Sequence, residues 1–217
     1  MSLKRRNPKT KKVLEFTGSE VKVRLLSADR AFLRDLSRLQ ILSEEIANKN
    51  HYCHLKGGSA RSLGRLARAG VIRRTRRFIP GQGVTNLYQF ANQKVAKAWG
   101  GELPEIGAKR NEFHELITSG LYFQEGRPED FRLANRMTDE EISAFNGHRP
   151  DAVFTDPETG RPVAVEADSG HYNRKQIRAK LAKWQGHKQV WGQPENSSAH
   201  VPKLPEITIH VVGRIES

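Results

Sequence analysis

Three carboxylates lie at the ends of two short apolar runs. Asp151 begins the run DAVF, while Glu166 and Asp168 end the run PVAVEAD. Side chains alternate along a strand, so Glu166 and Asp168 share one face, and Asp151 stands at the edge of the neighbouring strand. Carboxylates placed this close repel one another unless a cation neutralises them. We therefore predict that Asp151, Glu166 and Asp168 bind a divalent ion that prefers oxygen ligands, Mg²⁺ or Mn²⁺.

A basic segment that follows the acids supplies the opposite charge. Ile177, Leu181 and Trp184 recur at helical spacing, and Lys180 borders this apolar stripe. A lysine there can reach the carboxylates and stabilise the charge that develops on a phosphoryl group. A lysine that only extends over the surface gives the same pattern. On an earlier helix, Glu112 is a further candidate, whose carboxylate faces either a shared cleft or solvent.

The elements that position these groups alternate between helix and strand. We predict a helix over residues 110–120, a β-hairpin around the turn DPETG, a helix after Asp168 and a last strand over residues 206–215. The polar segment before the hairpin indicates only a short helix over residues 139–145. Together these elements predict an α/β (α+β) core that spans residues 107–217.

The N-terminal part of the chain has a different pattern, three helices followed by two strands. Ser27 is predicted to cap a first helix that continues to Leu42, a second helix begins at Ser43, and a third spans 59–70 and ends at Gly70. Two strands follow, over 71–79 and 83–90, joined by a turn at 80–83. A closing helix is predicted over 92–99. These are the parts of a winged helix-turn-helix, which we assign to residues 23–101. Gly100, Gly101 and Pro104 indicate a linker behind it.

Arginines are concentrated in the third helix and in the hairpin. We expect the helix to present its arginines to the major groove of DNA and the hairpin to place its own on backbone phosphates. The arginines predicted to contact DNA are Arg61, Arg65, Arg68, Arg73, Arg74, Arg76 and Arg77. A winged helix that contacts only other proteins is the alternative, and the density of arginines argues against it.

The overall charge favours a polyanionic partner, double-stranded DNA. The 217 residues include 37 Lys and Arg against 24 Asp and Glu, which gives a net charge of +13. Residues 1–22 are predicted to form a basic flexible arm, which either follows the phosphate backbone or only solubilises the chain. A single cysteine, Cys53, in the loop-like run HYCH, excludes an internal disulfide and a multi-cysteine zinc site. No apolar run approaches the roughly 20 residues of a membrane span, so we expect a cytoplasmic protein without a membrane partner.

The order of the acidic motifs resembles that of the PD-(D/E)xK nuclease superfamily. Glu112, the Pro-Asp pair that ends at Asp151, and Glu166-x-Asp168 occur in the same succession, but Asp168 replaces the usual lysine two residues after the second acid. The resemblance implies that Lys180 is a migrated lysine on the next helix, as in some members of the superfamily. It also implies a restriction-endonuclease-like fold in which Asp151, Glu166 and Asp168 bind metal, Lys180 assists and Glu112 contributes.

A narrower resemblance covers most of the chain, residues 27–215. A winged helix is followed by a helix with RNEFHELI, then by RPD, and then by VEAD and a helix that contains RAKL and an aromatic residue. This order is similar to the replication-relaxation family of plasmids and integrative elements, whose layout the MOBC conjugative relaxases share. In those proteins a winged helix binds the transfer origin and a restriction-endonuclease-like domain nicks one strand. The resemblance implies a metal-dependent enzyme that nicks or cleaves DNA. The nucleophile is then water or, in a true relaxase, an activated hydroxyl such as that of Tyr172.

Two other functions stay open. A non-catalytic DNA-binding regulator of replication, transfer or transcription would retain a nuclease-like domain for dimerisation or DNA contact, and the missing lysine at position 168 favours it. A partner-binding module of a transfer or phage assembly would have little affinity for DNA. A homodimer is compatible with either DNA-binding function, because winged helices often read paired half-sites. Other transfer or replication proteins are further candidate partners.

Overall fold

The chain has the mixed composition of helices and strands that the sequence predicts. The structure is a computed structural model that describes residues 23–79, 83–103, 112–170, 172–184, 186–194 and 207–212. Two sheets and the helices packed on them make it an α+β protein, so the predicted fold class is confirmed. The predicted basic arm, the hairpin turn at 80–82 and the start of the second domain near residue 107 lie outside the described residues.

The N-terminal half, residues 23–103, contains four α-helices and a three-stranded sheet within its described part. Its elements are α1 (Ser27–Leu39), β1 (Leu42–Ser43), α2 (Glu44–Ala47), a π-helical turn (Asn48–Tyr52), α3 (Gly58–Arg68), β2 (Ile72–Ile79), β3 (Gly83–Phe90) and α4 (Gln93–Ala98). The strand order is β1-β3-β2, and both pairs are antiparallel. The three predicted helices, the hairpin and the closing helix are therefore present.

Helix α1 differs from the prediction at both ends. Asp29, rather than Ser27, provides the side-chain hydrogen bond at the start of the helix, because the Asp29 carboxylate accepts the N–H of Leu26 at 2.6 Å. The helix ends at Leu39, since the next residue has a left-handed φ of 65°. The apolar residues 41–42, predicted to extend the helix, lie beyond it and are buried in the core instead.

The run HYCH is also not the predicted loop. His51 and Tyr52 end the π-helical turn and are buried, while Cys53 and His54 are exposed. The ring of His51 packs edge-on against Phe32, with 5.7 Å between the ring centroids. This histidine is therefore part of the aromatic core of the N-terminal half.

The C-terminal half, residues 112–212, is a five-stranded mixed sheet with helices on both faces. Its elements are α5 (Glu112–Gln124), β4 (Arg132–Leu133), a 3₁₀ turn (Ala134–Arg136), α6 (Asp139–Ala144), β5 (Ala152–Thr155), β6 (Pro162–Ala167), α7 (Arg174–Lys183), β7 (Lys188–Pro194) and β8 (Ile207–Val212). The strand order is β4-β5-β6-β7-β8. The first three strands pair antiparallel, whereas β6, β7 and β8 pair parallel, so α7 is the crossover between β6 and β7.

The C-terminal half contains two strands that were not predicted from the sequence. The short β4 is an edge strand, and β7 lies in the middle of the parallel part, between β6 and β8. Strand β7 is buried at Val190 and Trp191, as expected for a parallel strand covered on both faces. Gly192 interrupts its apolar pattern.

Helix α5 packs on both halves of the chain. On the sheet side, a Cβ atom at Gly192 would lie 2.7 Å from Ile117 and 2.9 Å from Leu121, so the helix rests directly on the backbone of β7. On the other side, the hydroxyl of Ser119 donates to the backbone carbonyl of Ile41 at 3.1 Å. One buried apolar cluster consequently includes residues from both halves.

A polar junction fixes the C-terminal end of α5 to the N-terminal half. The Tyr122 hydroxyl donates to Asp35 Oδ1 at 2.9 Å and accepts from Arg38 Nη1 at 3.3 Å. Just after the helix, Arg127 donates to the backbone carbonyl of Asn50 at 2.9 Å. Burial raises the pKa of Asp35, although its tyrosine and arginine neighbours act in the opposite direction. The two halves are therefore joined by directional bonds as well as by apolar contact.

The close approach of α5 and β7 predicts opposite effects for two glycine-to-alanine substitutions. Gly192→Ala should lower the free energy of unfolding by about 1 to 3 kcal/mol, because Ile117 and Leu121 must move to admit the methyl group. Gly64→Ala, the matched control within α3, should raise it by up to about 1 kcal/mol, because open space surrounds the added methyl group and alanine favours a helix. Urea unfolding followed by circular dichroism measures both. Equal stability of Gly192→Ala and wild type would contradict this packing.

Candidate functional site

Pairing of β5 with β6 brings two of the predicted acids together. Ala152 lies opposite Val165 in the antiparallel register, so Asp151 and Glu166, the next residues outward, meet at the same end of the two strands. The backbone N–H of Ala167 donates to Asp151 Oδ2 at 2.7 Å and holds this carboxylate against the strand end. The turn of the hairpin lies at the opposite end.

Glu166 points to the face of the sheet that α7 covers. Its Oε2 accepts from Lys180 Nζ at 2.6 Å, and its Oε1 accepts from the indole N–H of Trp184 at 2.9 Å. Only 2% of the Glu166 side chain is exposed, against 23% of that of Lys180. The contact expected between Lys180 and the acids is therefore present, and one end of the lysine is open to solvent.

The local sequence explains how α7 presents these two donors. Asn173 accepts the N–H of Gln176 at 3.0 Å and begins the helix with a capping box. Ile177 lies on the same face as Trp184 and is fully buried, so Lys180 between them is directed to the sheet. The ammonium group of Lys180 also lies 4.5 Å from the ring centroid of Tyr172, which leads into the helix.

His114 is a member of the cluster that the sequence analysis does not identify. Its Nε2 lies 3.0 Å from Asp151 Oδ2, and about a fifth of each side chain is exposed. His114 occupies the first turn of α5, one turn before Ile117 and Thr118, which are buried. That spacing is the signal that could have revealed it, because residues three and four apart share a helix face.

The two remaining predicted acids are engaged elsewhere. Glu112 pairs with Arg77 of the hairpin at 2.9 Å, and this contact directs its carboxylate to the N-terminal half. Asp168 is fully buried, and its Oδ1 accepts the N–H of Gly170 at 2.8 Å. Its Oδ2 has no hydrogen-bond partner among the described residues. The structure thus brings together Asp151, Glu166 and Lys180, while the roles of Glu112 and Asp168 stay predictions.

The ionisable groups of the cluster shift one another's pKa values. Burial disfavours the charged forms of both His114 and Asp151, but their mutual hydrogen bond and attraction outweigh it, so the pKa of His114 is raised and that of Asp151 is lowered. Burial, followed by repulsion from Asp151, raises the pKa of Glu166 to about 8, although Lys180 acts against this. The attraction of both carboxylates exceeds the effect of burial on Lys180 and raises its pKa. Lys180 and His114 therefore face Asp151 and Glu166, and the raised pKa of Glu166 keeps its proton to a higher pH than is usual for a carboxyl group.

Two carboxyl groups of the cluster are of the ligand type that Mg²⁺ prefers. Asp151 and Glu166 are neighbouring carboxylates, and the buried Asp168 Oδ2 is a further oxygen without a donor in the described part of the chain. Within that part, no group of three or more His, Cys, Asp and Glu residues is arranged to hold a metal. Mg²⁺ commonly takes one or two carboxylates and completes its coordination with water and phosphate oxygens. Asp151 and Glu166 would therefore hold the ion.

The predicted DNA-binding arginines of α3 have two different environments. Arg61 and Arg68 are exposed. Arg65 instead donates to the buried carboxylate of Asp29 and to the backbone carbonyl of Arg24, which ties α3 to α1. Arg61 and Arg68 remain available for an external anion, whereas Arg65 already has an anionic partner.

The hairpin arginines divide in the same way. Arg73 donates to the amide oxygen of Gln89 on β3, with 2.8 Å from its Nη2, and Arg77 pairs with α5 as described above. Arg74 and Arg76 are exposed. Arg74 also lines an open groove of about 480 Å³ between α3 and the hairpin, with Arg68 on the opposite wall. Arg68 and Arg74 thus form the basic rim of this groove, which Glu44 also lines and which we call the α3–hairpin groove.

Comparisons with known proteins do not indicate a function, so the geometry of the site is the main guide to it. No protein-family model matches the chain, and no curated protein is similar to it. In the described ranges, every helix is too short or too polar to cross a membrane.

The raised pKa of Glu166 makes the stability of the fold depend on pH. Between the ordinary carboxyl value of 4.5 and the folded value of about 8, the folded state binds the Glu166 proton more tightly than the unfolded state. The free energy of unfolding therefore falls as the pH rises through this window. We expect Glu166→Gln, which cannot titrate, to lack this contribution, so the stability difference between wild type and variant should change with pH.

The difference between the two proteins is the proper measurement, because other groups also titrate. Burial, followed by the charge of Arg127, lowers the pKa of His51 to about 4, so its contribution to stability increases with pH up to its ordinary value of 6.5. That contribution cancels in the difference. Urea unfolding across the window tests the prediction, with Glu140→Gln at an exposed site of α6 as the matched control. A pH-independent difference for Glu166→Gln would contradict the assigned environment.

Proposed function

We propose that the chain binds double-stranded DNA and cleaves a phosphodiester bond with the help of Mg²⁺ or Mn²⁺, as a nickase or endonuclease of a plasmid or another mobile element. The observation that carries this proposal is the convergence of Asp151, Glu166 and Lys180 at one end of β5 and β6. The order of helix, strands with the acids, helix and strand, on which the nuclease resemblance rests, supports it further.

The residues of the cluster offer complementary roles in phosphodiester cleavage. A divalent ion held by Asp151 and Glu166 would polarise the phosphate and favour ionisation of an attacking water. Lys180, whose side chain is partly exposed, places a positive charge where the phosphoryl group gains negative charge. His114 Nε2 faces Asp151 Oδ2 at 3.0 Å, and the raised pKa of this histidine suits a group that exchanges protons during cleavage.

DNA binding is the part of the proposal that the N-terminal half supports. The exposed Arg61, Arg68, Arg74 and Arg76 border the α3–hairpin groove or lie close to it, and the chain carries a net charge of +13. Arginines on a helix and an adjacent hairpin suit backbone phosphates and base edges. A homodimer on paired half-sites stays a prediction.

A DNA-binding regulator with an inactive nuclease fold is the second candidate. One observation favours it, because the cluster balances its own charges: both oxygens of Glu166 have protein donors, and His114 faces Asp151. Such a cluster keeps the fold together without an ion. This candidate predicts DNA binding without cleavage in any divalent metal.

Cleavage of supercoiled plasmid tests the enzymatic proposal. With Mg²⁺ or Mn²⁺ the wild type should convert supercoiled plasmid to open circles or linear DNA, and Asp151→Ala or Glu166→Ala should reduce the rate at least about a hundredfold, because each removes a group that acts on the phosphate. Glu140→Ala, an exposed acid of α6, is the matched control and should cleave at the wild-type rate. Plasmid DNA of the element that encodes the protein is the best substrate.

The outcomes separate the two candidates. If both acid variants cleave at the wild-type rate, the assignment of these acids to the catalytic site is wrong. Plasmid binding without cleavage in either metal favours the regulator, and unaltered DNA affinity of Asp151→Ala in EDTA would show that binding does not need the acids.

The salt dependence of DNA binding tests the assignment of the arginines. Arg74→Gln and Arg76→Gln should each weaken binding to a duplex and make the slope of log K against log salt shallower by about 1, because each removes a phosphate contact. Arg161→Gln, at the turn of the β5–β6 hairpin away from the acids, is the matched exposed control and should leave the slope unchanged. Equal slopes for all three variants would exclude the hairpin as the phosphate contact.

A further inference from the structure

The end of the β2–β3 hairpin carries an exposed apolar pair. Phe78 is 71% exposed and Val84 is 58% exposed, and the two residues lie directly opposite each other in the antiparallel register. Within the described residues, the only other large apolar side chain in this class is Leu26, at 39%. Because cross-strand partners project to the same face, the two side chains form one apolar projection rather than isolated surface residues.

This pair lies on the basic face of the hairpin. Side chains alternate along a strand, so Phe78 shares its face of β2 with Arg74 and Arg76. Arg74 lines the α3–hairpin groove, and Phe78 stands four residues farther along, about 13 Å toward the tip. A ligand that fills the groove and continues along the hairpin therefore reaches Arg76 first and then Phe78.

The charge around the pair identifies the ligand that fits. Arg74 and Arg76 are exposed on its face of the strand, whereas Arg77 on the opposite face pairs with Glu112. Two arginines beside an apolar pair complement a polyanion that also offers an apolar interior, and duplex DNA has both in its phosphates and its stacked bases. Proteins that bind the minor groove often insert such an apolar side chain between base pairs.

We propose that Phe78, supported by Val84, is a wedge that enters the minor groove and partly unstacks two base pairs. One helical turn of DNA, about 34 Å, contains one major and one minor groove. A tip about 13 Å beyond the α3–hairpin groove consequently reaches the groove next to the one that α3 occupies. Arg76 contacts the phosphates at the edge of this minor groove. The wedge rests on the proposed DNA binding but not on cleavage.

Unwinding of closed circular plasmid tests the wedge without knowledge of the recognised sequence. Plasmid is relaxed by a topoisomerase that needs no metal, in EDTA, with increasing amounts of the full chain, and its linking number is read on a gel. Wild type should lower the linking number in proportion to the bound protein. Phe78→Ala should reduce this change per bound protein at least about fivefold, because alanine is too short to separate the bases.

Two variants serve as controls. Phe78→Leu keeps a bulky apolar side chain and should retain most of the unwinding. Arg76→Gln should bind more weakly but unwind as much per bound protein, since the wedge itself is intact. Because Phe78 is largely exposed, its replacement leaves the core of the hairpin unchanged. Circular dichroism of each variant verifies the fold.

The outcomes distinguish an error in the wedge proposal from an error in the proposed DNA binding. Absence of plasmid binding by the wild type overturns both. Binding with no change of linking number, or a change that Phe78→Ala retains, overturns the wedge and leaves DNA binding in place. A shift in sedimentation of Phe78→Ala without loss of unwinding would assign the pair to a contact between proteins, and would also overturn the wedge.

Discussion

Burial of the Glu166 carboxylate is the constraint that determines the arrangement of the C-terminal half. A carboxyl group almost removed from water needs hydrogen-bond partners for both oxygens, because an unsatisfied buried polar group is unfavourable. Lys180 and Trp184 supply these partners, so α7 must lie across β6 with this face toward the sheet. Asp151 lies at the same strand end, and His114 contacts it from the helix on the other face. Two helices and two strands therefore meet at one electrostatic centre.

Helix α5 relates this centre to the basic hairpin. Its first turn holds Glu112, which pairs with Arg77, and His114, which pairs with Asp151. Its later turns rest on β7 and bond to the N-terminal half through Ser119. The hairpin and the acids consequently have a fixed separation.

Local patterns predict much of the fold and part of the site. Strand alternation places Glu166 on the face opposite the apolar core, and helical spacing places Lys180 beside it, because both depend only on near neighbours. Helical spacing could place His114 on the buried side of α5, but its contact with Asp151 escapes such reasoning, since Asp151 is distant in sequence and the contact depends on how α5 lies on the sheet. Strand β7 escapes it for another reason. A parallel strand covered on both faces lacks alternation, and Gly192 breaks its apolar run.

The two-sided packing of α5 limits how such a protein can evolve by exchange of parts. A break between residues 101 and 112 looks like a natural joint in the sequence, yet the apolar cluster continues across it. A different N-terminal unit attached there would have to offer an acceptor to Ser119 and a carboxylate to Tyr122, as the present one does. Without these, α5 would expose a face suited to burial. The packing therefore favours exchange of the two halves as a matched pair rather than as separate modules.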